Sequence, residues 1–287
     1  MIEILCFGDS NTYGFTPDWK HRYGRDIRYP GVLQALLGDG YYVAEDGLVG
    51  RTAAFADDNR AGRSALETLP LSIESHGPVQ YIILMLGTND CKIEKSRSAE
   101  DVGAGMDKLV RLVIGMLPAW TKILLVAPPP LGPAAPQRDP EYDAQSLTVS
   151  QGVAEQYRMI AEAYGLRFLD AGTLTQMSAL DGEHLDPDGH KKLAAAIAGM
   201  SPAVAIAVFA MTAAAPISIA SQAWEGRPIP ASTMTGKSIS SIKMSEYASA
   251  LRTFSRIFRT RCSPVPMLSE EYLSPEERET PEKCLFR

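Results

Sequence analysis

The residues with the clearest chemical potential are a serine near the start of the chain and a histidine close to an aspartate far along it. Ser10 follows the apolar run at residues 2–7, and His184 lies three residues after Asp181. A serine hydroxyl is a weak nucleophile at neutral pH, so it needs a base that is itself oriented by a hydrogen-bond acceptor. These residues indicate nucleophilic catalysis, in which His184 takes the Ser10 proton and Asp181 holds the imidazole.

Three further groups could donate hydrogen bonds to the negatively charged oxygen of a tetrahedral intermediate. One is the main-chain N–H of Ser10, and a second is Gly50, because a glycine lets the main chain approach a substrate and aim its N–H inward. The third is Asn89, whose side-chain amide donates without adding a charge. An isolated Asn89-Asp90 pair is also typical of a helix cap or an Asx-turn, and that alternative stays open on the residues alone.

Other histidines compete for the role of the base. His190 follows a glycine inside a predicted helix and is interpreted as structural, while His21 and His76 have no carboxylate at a comparable spacing. A lone histidine beside an aspartate is also typical of a surface ion pair or a turn, so the assignment of His184 depends on the other motifs. Asp9 is interpreted as a turn or supporting residue without a catalytic role.

The elements that must position these residues alternate between strands and helices over residues 1–200. Strands are predicted at residues 2–7, 41–45, 81–86, 122–127 and 166–169. Helices are predicted at residues 30–37, 63–76, 99–117, 146–164 and 187–199, with Pro70 a potential interruption of the second and a long proline-rich loop at 128–140. This alternation predicts an α/β fold with a parallel sheet covered by helices on both faces. Ser10 and Asn89 then lie at the same sheet edge, where ligands of such folds collect.

The composition of the chain limits the kinds of molecule that it is expected to bind. The chain of 287 residues has a formal net charge of −6 and a pI near 5.4, which argues against nucleic acid, because phosphate binding needs a basic surface. Its four cysteines show no zinc-binding spacing, and no metal or cofactor is expected. The cysteine usage favours a reducing compartment, and the N-terminus shows no export signal. We therefore expect a cytoplasmic location.

The chain changes character near residue 200, which predicts a catalytic domain at 1–200 and a C-terminal extension of unknown role at 201–287. Residues 225–287 carry ten Lys or Arg and eight Glu, whereas residues 1–224 carry 18 basic and 26 acidic residues. The apolar run at 204–223 is long enough to span a bilayer, but Pro202 and Pro216 break it, so a membrane segment is the less favoured interpretation.

The rest of this extension divides into three predicted segments. Residues 225–243 have the composition of a linker. Residues 244–261 could form a basic amphipathic helix that lies on a membrane surface or a partner, with a solvated or domain-packed helix preferred. From residue 263 onward the proline- and glutamate-rich composition predicts poor order.

Four sequence blocks, in this order, resemble those of the SGNH hydrolases, the GDSL esterase/lipase family. They are Gly8-Asp9-Ser10, Gly47-Leu48-Val49-Gly50, Gly87-Thr88-Asn89-Asp90 and Asp181-Gly182-Glu183-His184. The resemblance covers roughly residues 1–200 and implies a three-layer α/β/α, flavodoxin-like fold with a central parallel five-stranded sheet. It also implies metal-free hydrolysis through an acyl-serine intermediate, with Ser10, Asp181 and His184 as the triad and Ser10, Gly50 and Asn89 as the oxyanion hole.

Within the family the chain is most similar to the small bacterial arylesterase and acyltransferase branch. The similarity lies in residues 4–10, 46–52 and 126–131. It implies an open, shallow site and assembly into a homo-oligomer. Two features depart from this branch: Tyr13 and Phe15 stand where close relatives often carry tryptophan, and the extension after residue 200 matches nothing in the branch.

The sequence thus predicts a serine esterase for short-chain carboxylic esters, aryl or alkyl, with acetylated sugars as substrates or acyl transfer to alcohols as variants. One alternative is a non-catalytic binding module, because a fold does not fix a function. A second is a metallophosphoesterase, since Gly8-Asp9 and Gly87-Thr88-Asn89-Asp90 faintly match its metal-binding blocks. Such a site needs several histidine and aspartate ligands around two metals, and a chain with four histidines suits it poorly.

Overall fold

A computed structural model describes residues 1–57 and 60–200 of the chain. The membrane-length run, the linker, the amphipathic helix and the poorly ordered end that the sequence predicts after residue 200 all lie outside the described residues. The domain boundary at residue 200 therefore stays a prediction. No helix in the described part of the chain combines the length and apolar character needed to cross a membrane.

Within the described residues, five strands are separated by one or two α-helices each, with seven α-helices in all. The strands are β1 (Ile2–Gly8), β2 (Tyr41–Gly47), β3 (Tyr81–Met85), β4 (Lys122–Ala127) and β5 (Arg167–Asp170). The helices are α1 (Ser10–Tyr13), α2 (Tyr29–Leu37), α3 (Ala65–His76), α4 (Ala99–Met116), α5 (Ala135–Arg138), α6 (Ala144–Tyr164) and α7 (Pro187–Met200). Two single-turn 3-10 helices span Asn89–Cys91 and Ala171–Thr173.

The strands form one parallel sheet in the order β2-β1-β3-β4-β5. This is the flavodoxin-like order, and it confirms the fold predicted from the resemblance. Gly8, the last residue of β1, pairs in register with Gly47 of β2 and with Met85 of β3. The segments that leave these three strands therefore begin side by side at the carboxyl edge of the sheet.

Two apolar layers hold the helices on the sheet, because successive side chains of a strand point to opposite faces. On β1, Leu5 and Phe7 join the layer formed with α3, α4 and α6, whereas Ile4 and Cys6 join the layer formed with α2 and α7. The central strand β3 is apolar throughout and almost entirely buried, as a strand covered on both faces should be. The sheet is therefore the middle of a three-layer α/β/α sandwich.

Local hydrogen bonds fix the ends of α4, α6 and α7, the three longest helices of the described residues. The Ser98 hydroxyl accepts the Asp101 N–H at the start of α4, and Asp143 forms a capping box with Ser146 at the start of α6. Helix α6 ends at Gly165 in the left-handed conformation (φ 63°) that favours glycine. At the start of α7, the Asp186 carboxylate accepts the Gly189 N–H at 2.7 Å. The last described helix, α7, thus starts three residues after the predicted base, His184.

Several predicted boundaries were wrong for local physical reasons. Helix α3 begins at Ala65 rather than residue 63, because Ser64 pairs with Thr52 in an isolated bridge, and it continues through Pro70 without interruption. Helix α6 begins two residues early because its cap is Asp143. Strand β5 begins at Arg167 because the Leu166 N–H is engaged by the end of α6. The loop predicted at 128–140 contains the short helix α5.

Candidate active site

The residues predicted for catalysis come from segments that follow different strands at one edge of the sheet. Ser10 opens α1 directly after β1, Gly50 lies in the turn after β2, and Asn89 begins the 3-10 helix after β3. His184 lies between β5 and α7. The parallel register places the ends of β1, β2 and β3 together. The sheet thus brings these segments to the same rim, although the chain separates the first from the last by more than half its length.

The structure places Ser10, His184 and Asp181 in one hydrogen-bonded series. The Ser10 Oγ lies 3.0 Å from His184 Nε2, and His184 Nδ1 lies 2.6 Å from Asp181 Oδ2. A carboxylate can only accept, so Nδ1 carries the proton and Nε2 of the neutral ring is free to accept from the serine hydroxyl. All three residues are at least nine-tenths buried. This arrangement can remove the serine proton during an attack on an electrophile.

The carboxylate of Asp181 is fully buried and receives four hydrogen bonds. Its Oδ1 accepts the main-chain N–H groups of Glu183 (3.1 Å) and His184 (3.2 Å). Its Oδ2 accepts the His184 ring N–H and the indole N–H of Trp19, the latter at 3.1 Å. Burial raises the pKa of Asp181, but the interaction with the His184 ring and the main-chain N–H groups of Glu183 and His184 outweigh burial, so its pKa lies below the usual value. Asp181 therefore stays an anion beside the imidazole.

Asn11 joins the segment of the nucleophile to the segment of the base. Its Nδ2 donates to the Glu183 main-chain oxygen at 3.0 Å, and its Oδ1 accepts the Leu185 N–H at 2.8 Å. Both groups flank His184 in the chain. Asp9 caps α1 by accepting the Asn11 N–H, and burial raises the pKa of Asp9 to about 6 against the lowering effect of this bond. The distance between Ser10 and His184 is thus fixed by two side-chain bonds as well as by their own contact.

Asn89 contacts the segment that contains Gly50. Its Nδ2 donates to the main-chain oxygen of Arg51 at 3.1 Å, a contact that neither an Asx-turn nor a helix cap requires. Gly50 adopts φ +79°, a left-handed conformation that favours glycine. The adjacent Asp90 carboxylate accepts the Ala53 N–H at 2.9 and 3.0 Å, and burial raises its pKa to about 7 although this N–H lowers it. The two predicted oxyanion donors are therefore held in one buried arrangement.

Comparison with known proteins identifies the family of this chain. Residues 6–192 match the family model described as the GDSL-like lipase/acylhydrolase family. The chain belongs to this family. Its matched region has the fold and the motifs of a carboxylic ester hydrolase domain, which confirms the family predicted from the four sequence blocks.

Two solved structures and one sequence relative point to the same class of enzyme. An aryl esterase of M. smegmatis is 32% identical, with 69% of this chain and 97% of that chain covered and a TM-score of 0.65. A carbohydrate acetylesterase from Sinorhizobium meliloti is 33% identical, with 73% and 100% covered and a TM-score of 0.65. An acetylxylan esterase of Xylanibacter ruminicola is 29% identical over 220 residues, which cover 69% of this chain and 42% of that protein. The match thus spans less than half of that curated relative.

Two aromatic residues that sequence reasoning did not assign to the site contact His184 and Asp181 in this GDSL-family domain. The ring of Phe15 lies edge-on to the His184 ring, with centroids 5.3 Å apart. Trp19 donates its indole N–H to Asp181, 162 positions away in the chain. No local sequence pattern identifies such a contact. The only signal is a cluster of aromatic residues shortly after the nucleophile, at positions 13, 15 and 19.

The structure places the other histidines away from the nucleophile. His190 is buried in α7, where its Nδ1 accepts the Tyr29 main-chain N–H at 3.3 Å. Burial, followed by the charge of His184, lowers the pKa of His190 to about 3, so this ring is neutral. His21 is exposed in the turn after α1, and His76 ends α3. His184 is the histidine that contacts Ser10.

The described residues offer little that resembles a metal site. Within residues 1–57 and 60–200, no group of three or more His, Cys, Asp and Glu side chains is arranged to hold a metal ion. Cys6 and Cys91 are free and buried, and burial raises the pKa of both thiols far above the usual value. Both cysteines are therefore small apolar core residues at neutral pH.

Proposed function

We propose that residues 1–200 hydrolyse short-chain carboxylic esters through an acyl-serine intermediate. The observation that carries this proposal is the hydrogen-bonded series from Ser10 Oγ through His184 to Asp181, with distances of 3.0 and 2.6 Å. The esterase names of several family members support the same chemistry. The roles of the individual residues below are part of the proposal.

In the first half of the reaction, Ser10 attacks the ester carbonyl carbon while His184 Nε2 takes the hydroxyl proton. Asp181 stabilises the imidazolium that results. The carbonyl oxygen becomes an oxyanion, which accepts hydrogen bonds from the N–H groups of Ser10 and Gly50 and from the Asn89 side chain. When the tetrahedral intermediate collapses, His184 returns the proton to the leaving alcohol, and the acyl group remains on Ser10.

In the second half, a water molecule attacks the acyl-serine while His184 takes its proton. When this second tetrahedral intermediate collapses, His184 returns the proton to the Ser10 oxygen and the carboxylic acid leaves. An alcohol in place of water accepts the acyl group by the same steps. Hydrolysis and acyl transfer thus differ only in the nucleophile that reaches the acyl-serine. We propose hydrolysis as the main reaction, with transfer as a variant that product analysis with added alcohol would reveal.

We propose acetyl and other short acyl esters, including acetylated carbohydrates, as substrates. The support for this substrate class is the naming of two relatives as an acetylxylan esterase and a carbohydrate acetylesterase. A panel of p-nitrophenyl esters of increasing acyl length, together with acetylated xylose and xylan, tests it. A preference for long acyl chains would contradict it.

The central experiment compares wild-type protein with Ser10→Ala. We expect p-nitrophenyl acetate hydrolysis to fall by roughly 10⁴–10⁶ in kcat, as for removal of a nucleophile in other serine hydrolases. Rapid quenching followed by mass spectrometry should show one acetyl group on Ser10 in the wild type. The matched control is Ser75→Ala, an exposed serine on α3, which should retain full activity.

The same experiment separates the alternatives. A binding module would leave the wild type inactive and Ser10 unlabelled by a fluorophosphonate. A metallophosphoesterase would lose activity on treatment with a chelator and would cleave phosphate esters. Ester hydrolysis that persists in the chelator and disappears in Ser10→Ala would support the proposed mechanism alone.

Assembly and location follow from the sequence and the family resemblance. We propose a homo-oligomer in the cytoplasm whose partner is a small-molecule ester, with membrane contact of residues 201–287 less favoured. Light scattering of the purified full chain tests the first of these, and cell fractionation tests the second. A monomer in solution, or recovery of the chain with membranes, would contradict the respective proposal.

A further inference from the structure

We propose that Trp19 is a positioning residue for ester hydrolysis: its indole N–H holds the Asp181 carboxylate in the orientation in which it receives His184. This inference depends on the proposed catalytic role of Ser10, His184 and Asp181. It goes beyond that role, because it adds a residue from a segment that carries none of the four sequence blocks.

The first observation is that Trp19 and His184 share one oxygen atom. Trp19 Nε1 lies 3.1 Å from Asp181 Oδ2, and His184 Nδ1 lies 2.6 Å from the same atom. The other oxygen is held by main-chain N–H groups of the Asp181–His184 turn itself. Trp19 lies outside this turn and donates to Oδ2, the oxygen that faces His184. A donor in that place can resist rotation of the carboxylate.

The second observation is the backbone of Trp19. Its φ of +62° lies in the left-handed region, which bulky residues rarely adopt. The turn around it is braced, because the Trp19 N–H donates to the Thr16 oxygen at 2.9 Å and the Thr16 N–H donates to the His21 oxygen at 3.1 Å. Unfavourable backbone conformations held by their surroundings cluster at functional sites. Here the conformation lets the indole of Trp19 reach the Asp181 carboxylate. Trp19 is 38% exposed to solvent, whereas Asp181 is fully buried.

The third observation is that the same segment contacts the base. Phe15 packs its ring edge-on against His184, and a bridge between Phe15 and Arg22 closes the segment that contains Trp19. One stretch of chain after α1 thus touches both His184 and Asp181. Packing that only covered the domain surface would not require contacts with both His184 and Asp181.

The chemistry of the indole suits this role. It is a neutral donor without an acceptor atom, so it cannot take the proton that the imidazole carries. Its hydrogen bond draws negative charge from Oδ2 and fixes its direction. Without the indole, the carboxylate attracts the imidazolium more strongly, so a higher pH is needed to obtain the free base, and its freer orientation slows proton transfer from Ser10.

The test is Trp19→Phe, which keeps an aromatic ring and removes the N–H. With p-nitrophenyl acetate we expect kcat to fall about tenfold, the effect of losing one hydrogen bond to a charged group, and KM to change less than about twofold. The acidic limb of the kcat/KM profile should move to higher pH. The matched control is Trp120→Phe, at a tryptophan on the surface that is 52% exposed, which should leave both readouts unchanged.

Wild-type kinetics in Trp19→Phe would overturn the inference. A lower kcat with an unmoved acidic limb would also overturn it, because a purely structural role predicts that result. A measurement on the wild type keeps the test valid if the variant folds poorly: the Trp19 indole N–H should exchange with solvent deuterium more slowly than that of Trp120, and equal rates would contradict the hydrogen bond. An inactive wild type would instead refute the proposed function.

Discussion

The Asn89 side-chain amide donates to the main-chain oxygen of Arg51 at 3.1 Å. An amide nitrogen carries two hydrogens, so this bond orients the second one while leaving it available to another acceptor. Arg51 directly follows Gly50, and its own guanidinium is anchored to the Gly8 oxygen at 2.9 Å. The end of β1 and the segments after β2 and β3 are therefore joined by hydrogen bonds close to Ser10.

Asn89→Ala should lower kcat by roughly 10²–10³, the usual cost of one oxyanion donor, and leave KM nearly unchanged. The reason is that the donor is used only when the carbonyl oxygen becomes charged. Steady-state hydrolysis of p-nitrophenyl acetate provides the measurement. Asn89→Asp, which keeps the shape and replaces the donor with a negative charge, should be at least as damaging, and wild-type turnover in either variant would remove Asn89 from the oxyanion hole.

Asp181→Asn should lower kcat by about 10⁴, as loss of the carboxylate does in related triads. The amide cannot accept four hydrogen bonds as the carboxylate does, and it no longer stabilises the imidazolium. The loss should be measured on p-nitrophenyl acetate beside the thermal melting curve, which separates a catalytic loss from unfolding. A folded variant that keeps more than about one tenth of the activity would exclude this role for Asp181.

Glu183→Gln should change how stability depends on pH. Burial, with the negative charges of Asp139 and Asp181 adding to it, raises the pKa of Glu183 from 4.5 to about 8, while the positive charge of Lys92 lowers it. Between these two values the folded protein binds more protons than the unfolded chain, so the wild type loses stability as the pH rises.

Glu183→Gln has no carboxyl group to ionise at this position. Its free energy of unfolding relative to the wild type should therefore increase with pH, by up to roughly 1.4 kcal/mol per pH unit across this window. Urea unfolding of both proteins at about pH 5 and about pH 8 measures the difference. Glu74→Gln, at an exposed position on α3, is the control and should show a difference independent of pH. An advantage for Glu183→Gln that shrinks as pH rises would contradict the assignment.

Gly47→Ala should reduce both stability and activity. A Cβ at this position would lie against the main-chain atoms of Tyr13 and Thr12, closer than van der Waals contact allows. Because α1 carries Ser10, the main chain cannot yield without moving the nucleophile, and we expect a loss of about 1–3 kcal/mol in unfolding free energy together with lower kcat.

The matched control is Gly40→Ala, since no heavy atom beyond the adjacent residues lies within 4 Å of a Cβ at that position. This exposed substitution should stay within about 0.5 kcal/mol of the wild type and keep full activity. Equal behaviour of the two variants in urea unfolding and in ester hydrolysis would show that α1 does not depend on close packing against β2.

The sequence predicts the sheet well because its strands carry strong local signals. Strand β4 matches its predicted bounds, and β3 differs by one residue, since both are apolar on both faces. Helix α1 was not predicted, because four residues cannot show a helical period. The starts of α3 and α6 depend on contacts with Thr52 and Asp143, which periodicity does not report.

In the candidate site, too, some residues could be predicted from local sequence patterns and others could not. The Ser10, Gly50, Asn89 and His184 motifs are short local patterns, and the parallel register explains why they meet. The donors that orient them are long-range contacts: Trp19 reaches Asp181 across 162 positions and Asn11 reaches Leu185 across 174. Their types carry no local signal, so only the folded chain identifies them.

The Asn11 side chain has a consequence for how this protein is made. Because it connects α1, near the start of the chain, to the residues just ahead of α7, the Ser10–His184 contact requires that the chain as far as α7 (Pro187–Met200) has been synthesised and has folded. A chain that ends before His184 therefore lacks the Ser10–His184 contact, and on the proposed mechanism it should not cleave esters.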